Sequence, residues 1–541
     1  MVQIARLIGG AGTGKTTELL NIIDSVVKRG IDPLSIGFCS FTRAARAEAV
    51  SRVSDRFGIS GDEITRVGWF KTIHSVAYRQ LGVSGELLTG NKESRDWFED
   101  NLGEAVSVTE TDGEIQTNTR TPVGLALDIW SASRSRLEPL VDSWERIKRC
   151  SPETPSLEDC EQVIERYETY KRLDGRVDFV DIIGRYAGVK FSVEGFEEVS
   201  PDGEVPDVPV WIFDEQQDTS QLLDRVSRRL VYEGSTRWGY LAGDPFQSIY
   251  GWSGADGSLF LKWKADQERI TGKSWRCPDS ILDLGENCIR ECSDYFDRGI
   301  KPADHEGEIV STHTQSTEWL DYVKPTESVL CLARTNHLSK WFMQQLNARS
   351  IPWESTKGLG SWLPESRRSA CLALHSLESG YPIDFREWAQ VVKAIPAKDN
   401  LVRGTKTKWQ NPERPNRDHS DLSCLSDWGA TDALNEKVAS GEWWSMIADG
   451  QRFRDSANRF GVENIIDPTI QVGTIHSVKG AEADTVILLD SSTRACRENE
   501  DIQEGLDEER RLAYVGVTRA RKRLVILRKI GEVAHRMPIA Y

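Results

Sequence analysis

The run Gly9-Gly10-Ala11-Gly12-Thr13-Gly14-Lys15-Thr16 constrains this chain more than any other feature, because few folds can carry such a loop. It fits G-x-x-x-x-G-K-[ST] in full, a pattern whose glycines let successive backbone N–H groups turn inward around phosphate oxygens. Val2 to Ile8 reads as a buried strand before it, and Thr16 to Arg29 as a helix stopped by Gly30 after it. Strand, glycine turn and helix N-terminus form an anion site to which the helix dipole contributes. Gly10, Ala11, Gly12, Thr13 and Gly14 would line the phosphates, Lys15 would reach the β- and γ-phosphates, and Thr16 would hold Mg²⁺, with Thr17 next to it. Such a site also needs an acid for the metal and a carboxylate to polarise water. Val208 to Phe213 reads as a buried strand ending in Asp214-Glu215, which supplies both. Asp214 stands 199 residues after Lys15, too far for a simple kinase-like fold, so a large segment is inserted between them.

Composition narrows the class. A chain of 541 residues is too long for one hydrophobic core, and three or four domains are expected. Apolar residues at 39% and charged residues at 28% describe a soluble globular protein. No run reaches the roughly 18 apolar residues a membrane span requires. The N-terminal residues run straight into the glycine loop without a secretory pattern, so a cytoplasmic location is expected. Ten Cys without a CxxC pair argue against a disulfide framework or zinc ribbon. Cys288 and Cys292, at helical spacing behind Cys277, read as packing rather than as an iron–sulfur site. The net charge of −16 means that any nucleic-acid binding must use a local groove.

Ser35 to Phe41 reads as a second strand, and residues 76–175 as a helical insertion without strand alternation. Phe191 to Asp207 reads as an acidic loop. Thr485 to Leu489 and Leu524 to Leu527 read as strands, with a helix over about Asp507 to Arg521 between them. Residues 395–417 carry Pro, Gly and charge and read as an exposed loop.

Asp214-Glu215-Gln216-Gln217-Asp218-Thr219-Ser220, followed by Gly243-Asp244-Pro245-Phe246-Gln247-Ser248-Ile249-Tyr250-Gly251-Trp252, resembles the UvrD/Rep family of superfamily 1 DNA helicases. Further segments resemble its motifs in the same order. They are Phe41 to Arg46, Thr72 to Ser75, Asp178 to Asp181, Ser274 to Arg276, Ala333 to Asn336, Gly473 to Glu482 and Glu509 to Ala520. The resemblance runs from residue 1 to about 527.

It implies an α/β chain of two RecA-like P-loop motor domains with parallel sheets, each carrying a mainly helical insertion, and ATP in the cleft between the motors. The first motor would take residues 1–75 and 176–270, with a helical accessory subdomain at 76–175. The second would take 271–375 and 455–541, with a reduced accessory subdomain at 376–454. By resemblance, Lys15, Thr16 and Asp214 bind phosphate and Mg²⁺, and Glu215 activates the attacking water. Gln247 senses the γ-phosphate, and Arg276 and Arg519 act as arginine fingers. Trp275 stands where the family stacks an aromatic on adenine; Gly480 and Glu482 stand at the ribose. Single-stranded DNA and its junctions with duplex would meet Phe41, Thr42, Arg43, His74, Tyr250, Trp252, Thr474 and His476, whose rings and polar groups suit bases and phosphates. Core packing competes evenly with stacking for Tyr250, and less so for Trp252.

Some positions depart from the family. Gln3 lies too close to Lys15 to serve as its adenine-reading glutamine, so loose base selectivity is expected. Thr17 stands where an Arg near adenine is common, and Ser253 where an Arg follows the tryptophan. Lys398, Arg403, Lys406, Lys408, Arg414 and Arg417 oppose only Asp399 and Glu413 around Trp409; a duplex contact and a solvated loop fit this patch equally. The activity implied is ATP-dependent 3′–5′ translocation and unwinding in replication, repair or recombination. The alternative is a translocase that strips proteins or drives a partner such as a nuclease or a replication or repair factor. A scaffold that lost its motor is opposed by the intact Lys15, Asp214, Glu215, Gln247, Arg276 and Arg519.

Overall fold

The computed structural model describes residues 2–539 apart from 41–42, 83–86, 107, 112–113, 118–120, 152, 357–359, 411–417, 494–495, 497–501 and 530–535. Two compact units divide the chain. One comprises residues 1–309, 492–522 and 531–541, the other 310–491 and 523–530.

In the first unit, Gln267–Thr271, Gln3–Gly9, Trp238–Gly243, Val210–Asp214, Ile36–Ser40 and Trp69–Lys71 form a six-stranded sheet in that order. Every pairing is parallel. Val210–Asp214 is buried at each residue, as a strand covered on both faces must be, and its apolar run follows from that. Parallel pairing brings the C-terminal ends of the strands to one edge, where loops can converge on a ligand. The glycine loop, Asp214-Glu215 and Asp244–Gln247 all leave the sheet at that edge. The first helix is Lys15–Lys28, within a residue of its expected bounds.

Residues 92–173 form the helices Lys92–Leu102, Pro122–Arg136, Leu140–Cys150 and Leu157–Leu173. They close on a core of their own that includes Trp97, Phe98, Trp130, Ile164 and Tyr167. The expectation of a segment without strands is corrected by an antiparallel hairpin, Val108–Thr111 with Glu114–Thr117. Its signal was present in Asp112-Gly113 between Thr-rich flanks. The acidic loop is corrected likewise. Val189–Ser192 pairs with Gly195–Glu198, and three of the loop's acids are ion-paired, Glu197 with Lys190, Glu198 with Arg225 and Asp202 with Arg185.

A buried ionic cluster ties the helical region to the following helix, Phe179–Ala187. Asp178 and Asp181 form its capping box. Arg134 Nη2 donates to Asp178 Oδ2 at 2.8 Å, and Lys171 Nζ lies 2.9 Å from the same oxygen and 2.7 Å from Asp181 Oδ2. Glu168, Asp178 and Asp181 stand close enough to hold a metal, but Arg134 and Lys171 already pair with all three. Removing one partner from such a buried set leaves uncompensated charge and costs about 3–5 kcal/mol. Lys171→Met is therefore expected to lower the urea midpoint of the first unit markedly, whereas breaking the exposed Lys190–Glu197 pair should leave it nearly unchanged.

The second sheet orders Glu308–His313, Ala520–Arg528, Ala483–Asp490, Val329–Ala333, Ile470–Thr474 and Glu354–Ser355. The pairings of Val329–Ala333 with its two neighbours, and of Ile470–Thr474 with Glu354–Ser355, are parallel. Leu524 to Leu527 lies within its second strand, and the preceding helix is Gln503–Val517. In the second unit one core joins Val329, Cys331 and Ile487 of the sheet to Trp388, Leu434 and Phe453. Trp409 belongs to this core. It is 2% exposed, its indole N–H donates to Trp428 O at 3.0 Å, and the two rings lie 5.6 Å apart. Its place in an exposed basic loop is thus corrected, although Lys398, Arg403, Lys406 and Lys408 around it are exposed. Arg414 and Arg417 lie outside the described residues. Among the described residues no helix is long and apolar enough to cross a membrane.

Candidate nucleotide site and nucleic-acid contacts

The loop needs glycine at two positions for geometric reasons. Gly14 caps the Lys15–Lys28 helix at φ 78°, and Gly12 has φ 66°, values that cost little only without a Cβ. A Cβ on Gly12 would also lie 2.3 Å from Arg276 Cβ. The segment Thr271 to Arg276 holds the loop from the other side. Thr271 Oγ1 donates to Thr13 Oγ1 at 2.8 Å, Ser274 Oγ to Ala11 O at 2.8 Å and Trp275 N–H to Gly12 O at 2.8 Å. Lys15 is buried and folds its ammonium back on Gly9 O and Gly10 O at 3.1 and 3.3 Å, acceptors it can exchange for phosphate oxygens.

Thr16 Oγ1 donates to Asp214 Oδ2 at 3.1 Å, and Asp214 Oδ1 accepts from Glu215 N–H at 3.0 Å. Burial, then the charge of Glu215, push Asp214 up to about 7 against the pull of Lys15. A hydroxyl and a carboxylate are the hard oxygen donors that Mg²⁺ prefers, and a divalent charge beside this pair would offset the cost of ionising it. The residues present fit both a magnesium ion and a polyphosphate.

Glu215 adopts φ 54° although it is not glycine, the kind of local strain that surrounding structure must hold in place. Gln217 holds its side chain, with Nε2 donating to Glu215 Oε2 at 2.6 Å while Oε1 accepts from Asp244 N–H at 3.0 Å. Gln247 Nε2 donates to Asp244 Oδ2 at 2.7 Å, and Arg519 Nη2 donates to Gln247 Oε1 at 3.3 Å. Arg519 is 1% exposed, and burial with the like charge of Arg276 pushes it down to about 10. Arg276 Nη1 donates to Thr518 O at 3.4 Å. Two guanidiniums that repel each other, one of them buried, favour an anion between them.

Trp275 is 69% exposed, with Lys273 Nζ 4.7 Å from its ring, and its indole lies within 4 Å of where a Cβ on Gly14 would be. An aromatic face is thus open beside the phosphate loop. Thr17 is also exposed, but it lines a groove with Leu20, Asp24 and Arg56.

The nucleic-acid candidates fare unevenly. Phe41 and Thr42 lie outside the described residues, and of Arg43 only the backbone is described, opening the helix Arg43–Phe57. His74 is half-buried in the first turn of Ile73–Leu81, a helix capped by Thr72. Tyr250 is 7% exposed and packs inward, whereas Trp252 is 43% exposed; of the two, Trp252 presents an open ring. Arg136 donates to Gly251 O and so braces the Trp252 turn. In the second unit, Thr474 ends the strand Ile470–Thr474 and accepts from Ser477 N–H, and His476 opens the next helical turn. Gly480 and Glu482 follow, both exposed.

Four residues at the site acquire a role only from the fold. Gln217, Asp244 and Tyr514 lie inside recognised motifs, where only spatial contact gives them one. Arg298 lies in none, and nothing local marks it.

Two family models match the chain. The UvrD/REP helicase N-terminal domain matches residues 3–268, and the UvrD-like helicase C-terminal domain residues 456–529. The chain is 23% identical over 556 residues to the ATP-dependent DNA helicase UvrD2 of Mycobacterium tuberculosis, covering 96% of this chain and 76% of the relative. It is 23% identical over 631 residues to DNA helicase II of Rickettsia typhi, covering 98% and 91% respectively. It also matches the ATP-dependent DNA helicase PcrA of Leuconostoc citreum, at 22% over 346 residues, 62% of this chain and 43% of the relative. With two parallel α/β sheets, a complete phosphate loop and both halves of the family pattern in place, the chain belongs to the UvrD/Rep family of superfamily 1 DNA helicases.

Proposed function

We propose that this chain hydrolyses ATP with Mg²⁺ to move 3′ to 5′ along single-stranded DNA and to unwind duplex at its junctions, in replication, repair or recombination. One observation carries the reading. Lys15, the Thr16–Asp214 pair, Glu215, Gln247, Arg276 and Arg519 meet at the C-terminal edge of one parallel sheet, which is the set phosphoryl transfer to water requires. In this reading residues 1–75 with 176–270 form one motor and 271–375 with 455–541 the other, with the intervening segments as accessories.

The roles follow from the chemistry of each group. Lys15 and the loop amides bind the β- and γ-phosphates once Lys15 releases Gly9 and Gly10. Thr16 and Asp214 hold the metal, which neutralises phosphate charge when bound. Glu215, fixed by Gln217, accepts a proton from the attacking water. Gln247 reads the γ-phosphate, and Arg276 and Arg519 offset the charge that spreads over it in the transition state. Trp275 stacks on the base and Trp252 on DNA, where stacking contributes about 1–3 kcal/mol per base.

Unwinding of duplexes with a 3′ or a 5′ single-stranded tail tests the direction and the activity together. Displacement from the 3′ tail only is expected. Displacement from the 5′ tail only contradicts the polarity, and DNA-stimulated hydrolysis with no displacement from either favours a translocase that strips proteins or serves a nuclease partner.

A further inference from the structure

Tyr514 is fully buried, yet its hydroxyl has three partners. It accepts from Ala11 N–H of the phosphate loop at 3.1 Å, donates to Asp244 Oδ2 at 3.1 Å and lies 3.4 Å from Arg298 Nη1. A tyrosine kept for packing alone needs none of these, since phenylalanine fills the same volume. Burial raises the hydroxyl well above its ordinary value, so it keeps its proton and remains a donor to Asp244.

Asp244 is the hub. It is wholly buried and accepts from Arg298 Nη1 at 2.5 Å, from Gln247 Nε2 at 2.7 Å and from Tyr514. Arg298 is fixed in turn by Glu286 at 2.5 Å and lies 4.7 Å over the Phe246 ring. The bond from Gln247 Nε2 to Asp244 decides which end of that amide faces Arg519. The helix Gln503–Val517 then closes a ring, because it carries Tyr514, and Arg519 Nε donates to Val515 O at 3.0 Å. The ring runs from Ala11 through Tyr514, Asp244 and Gln247 to Arg519.

We propose that Tyr514 is a positioning residue whose hydroxyl couples the phosphate loop, through Asp244, to the orientation of the Gln247–Arg519 pair. The inference rests on the reading of the site as a DNA-stimulated ATPase. When Lys15 releases Gly9 and Gly10 for phosphate, the adjacent Ala11 amide shifts, and the hydroxyl passes that shift to Asp244. Arg298 keeps Asp244 from relaxing instead, since a carboxylate held by a buried guanidinium has one orientation.

Tyr514→Phe is the test, because it deletes one oxygen from a buried ring. Tyr186→Phe is the control, removing an equally buried hydroxyl that bonds Glu204 O at 3.1 Å, in none of the site's contacts. Expected for Tyr514→Phe is a fall of about ten- to a hundredfold in DNA-stimulated kcat, the range set by losing hydrogen bonds that involve a charged group. KM for ATP and the melting midpoint should move no more than in Tyr186→Phe. Equal kcat values in the two variants overturn the proposal, as does a loss confined to KM. Arg298→Lys serves if Tyr514→Phe fails to fold. It keeps the buried charge but cannot span Asp244, Glu286 and the hydroxyl, and unchanged kcat in it also overturns the coupling. If wild type hydrolyses no more ATP than Lys15→Ala, the ATPase reading itself fails and this inference with it.

Discussion

Glu215→Gln is expected to lower DNA-stimulated ATP hydrolysis by on the order of a thousandfold while leaving Mg²⁺·nucleotide binding within a few-fold of wild type. General-base groups contribute about 10² to 10⁴ in rate. The upper half of that range applies because Glu215 is held in a left-handed backbone conformation and clamped by Gln217 at 2.6 Å, so no neighbour can take its place easily. The amide matches the carboxylate in shape and its oxygen can keep the Gln217 bond, so the fold should not change. Binding persists because Lys15, Thr16 and Asp214 are untouched. Single-turnover hydrolysis beside equilibrium binding of a fluorescent nucleotide separates the two. Loss of binding in proportion to rate would show that Glu215 holds the ligand instead of acting on water.

The second large effect belongs to Arg519. An arginine that meets the transferring phosphoryl group contributes about 10³ to 10⁵ in rate, so Arg519→Ala should lose at least about a thousandfold in kcat with KM for ATP nearly constant. The same change removes a buried charge that Arg276 repels. Arg519→Lys keeps a charge but loses the planar fork, and it should regain less than about tenfold of the loss. Steady-state kinetics with saturating DNA reads both variants. A rise in KM with unchanged kcat would place Arg519 in ground-state binding and contradict its role at the γ-phosphate.

The parts legible in the amino-acid sequence are those whose chemistry demands a fixed local spacing. The phosphate loop needs its glycines, Lys15 and Thr16 in one unbroken run, and Asp214-Glu215 needs only the buried strand before it. Contacts such as Asp244 with Tyr514, 270 residues apart, leave no local trace, because each partner looks ordinary in its own segment. Aromatic residues are equally uneven in what their neighbours in sequence disclose. Tyr250 and Trp252 are two positions apart and both suit stacking, yet only packing decides that the first turns inward. Trp409 sits among Lys and Arg residues in the sequence, while the core around Trp428 draws it in. The two hairpins at 108–117 and 189–198 are hard to read in the sequence because acidic or Thr-rich strands lack the apolar alternation that marks a half-buried one.

Steady-state ATP hydrolysis with and without single-stranded DNA, wild type beside Lys15→Ala, tests the motor assignment most directly. Lys15 is the one side chain whose only assigned task is to hold phosphate, so its loss should abolish turnover without touching DNA contacts. Strong stimulation of the wild type by DNA, and none in Lys15→Ala, is the expected result. Equal hydrolysis by the two proteins, with DNA present, would contradict it.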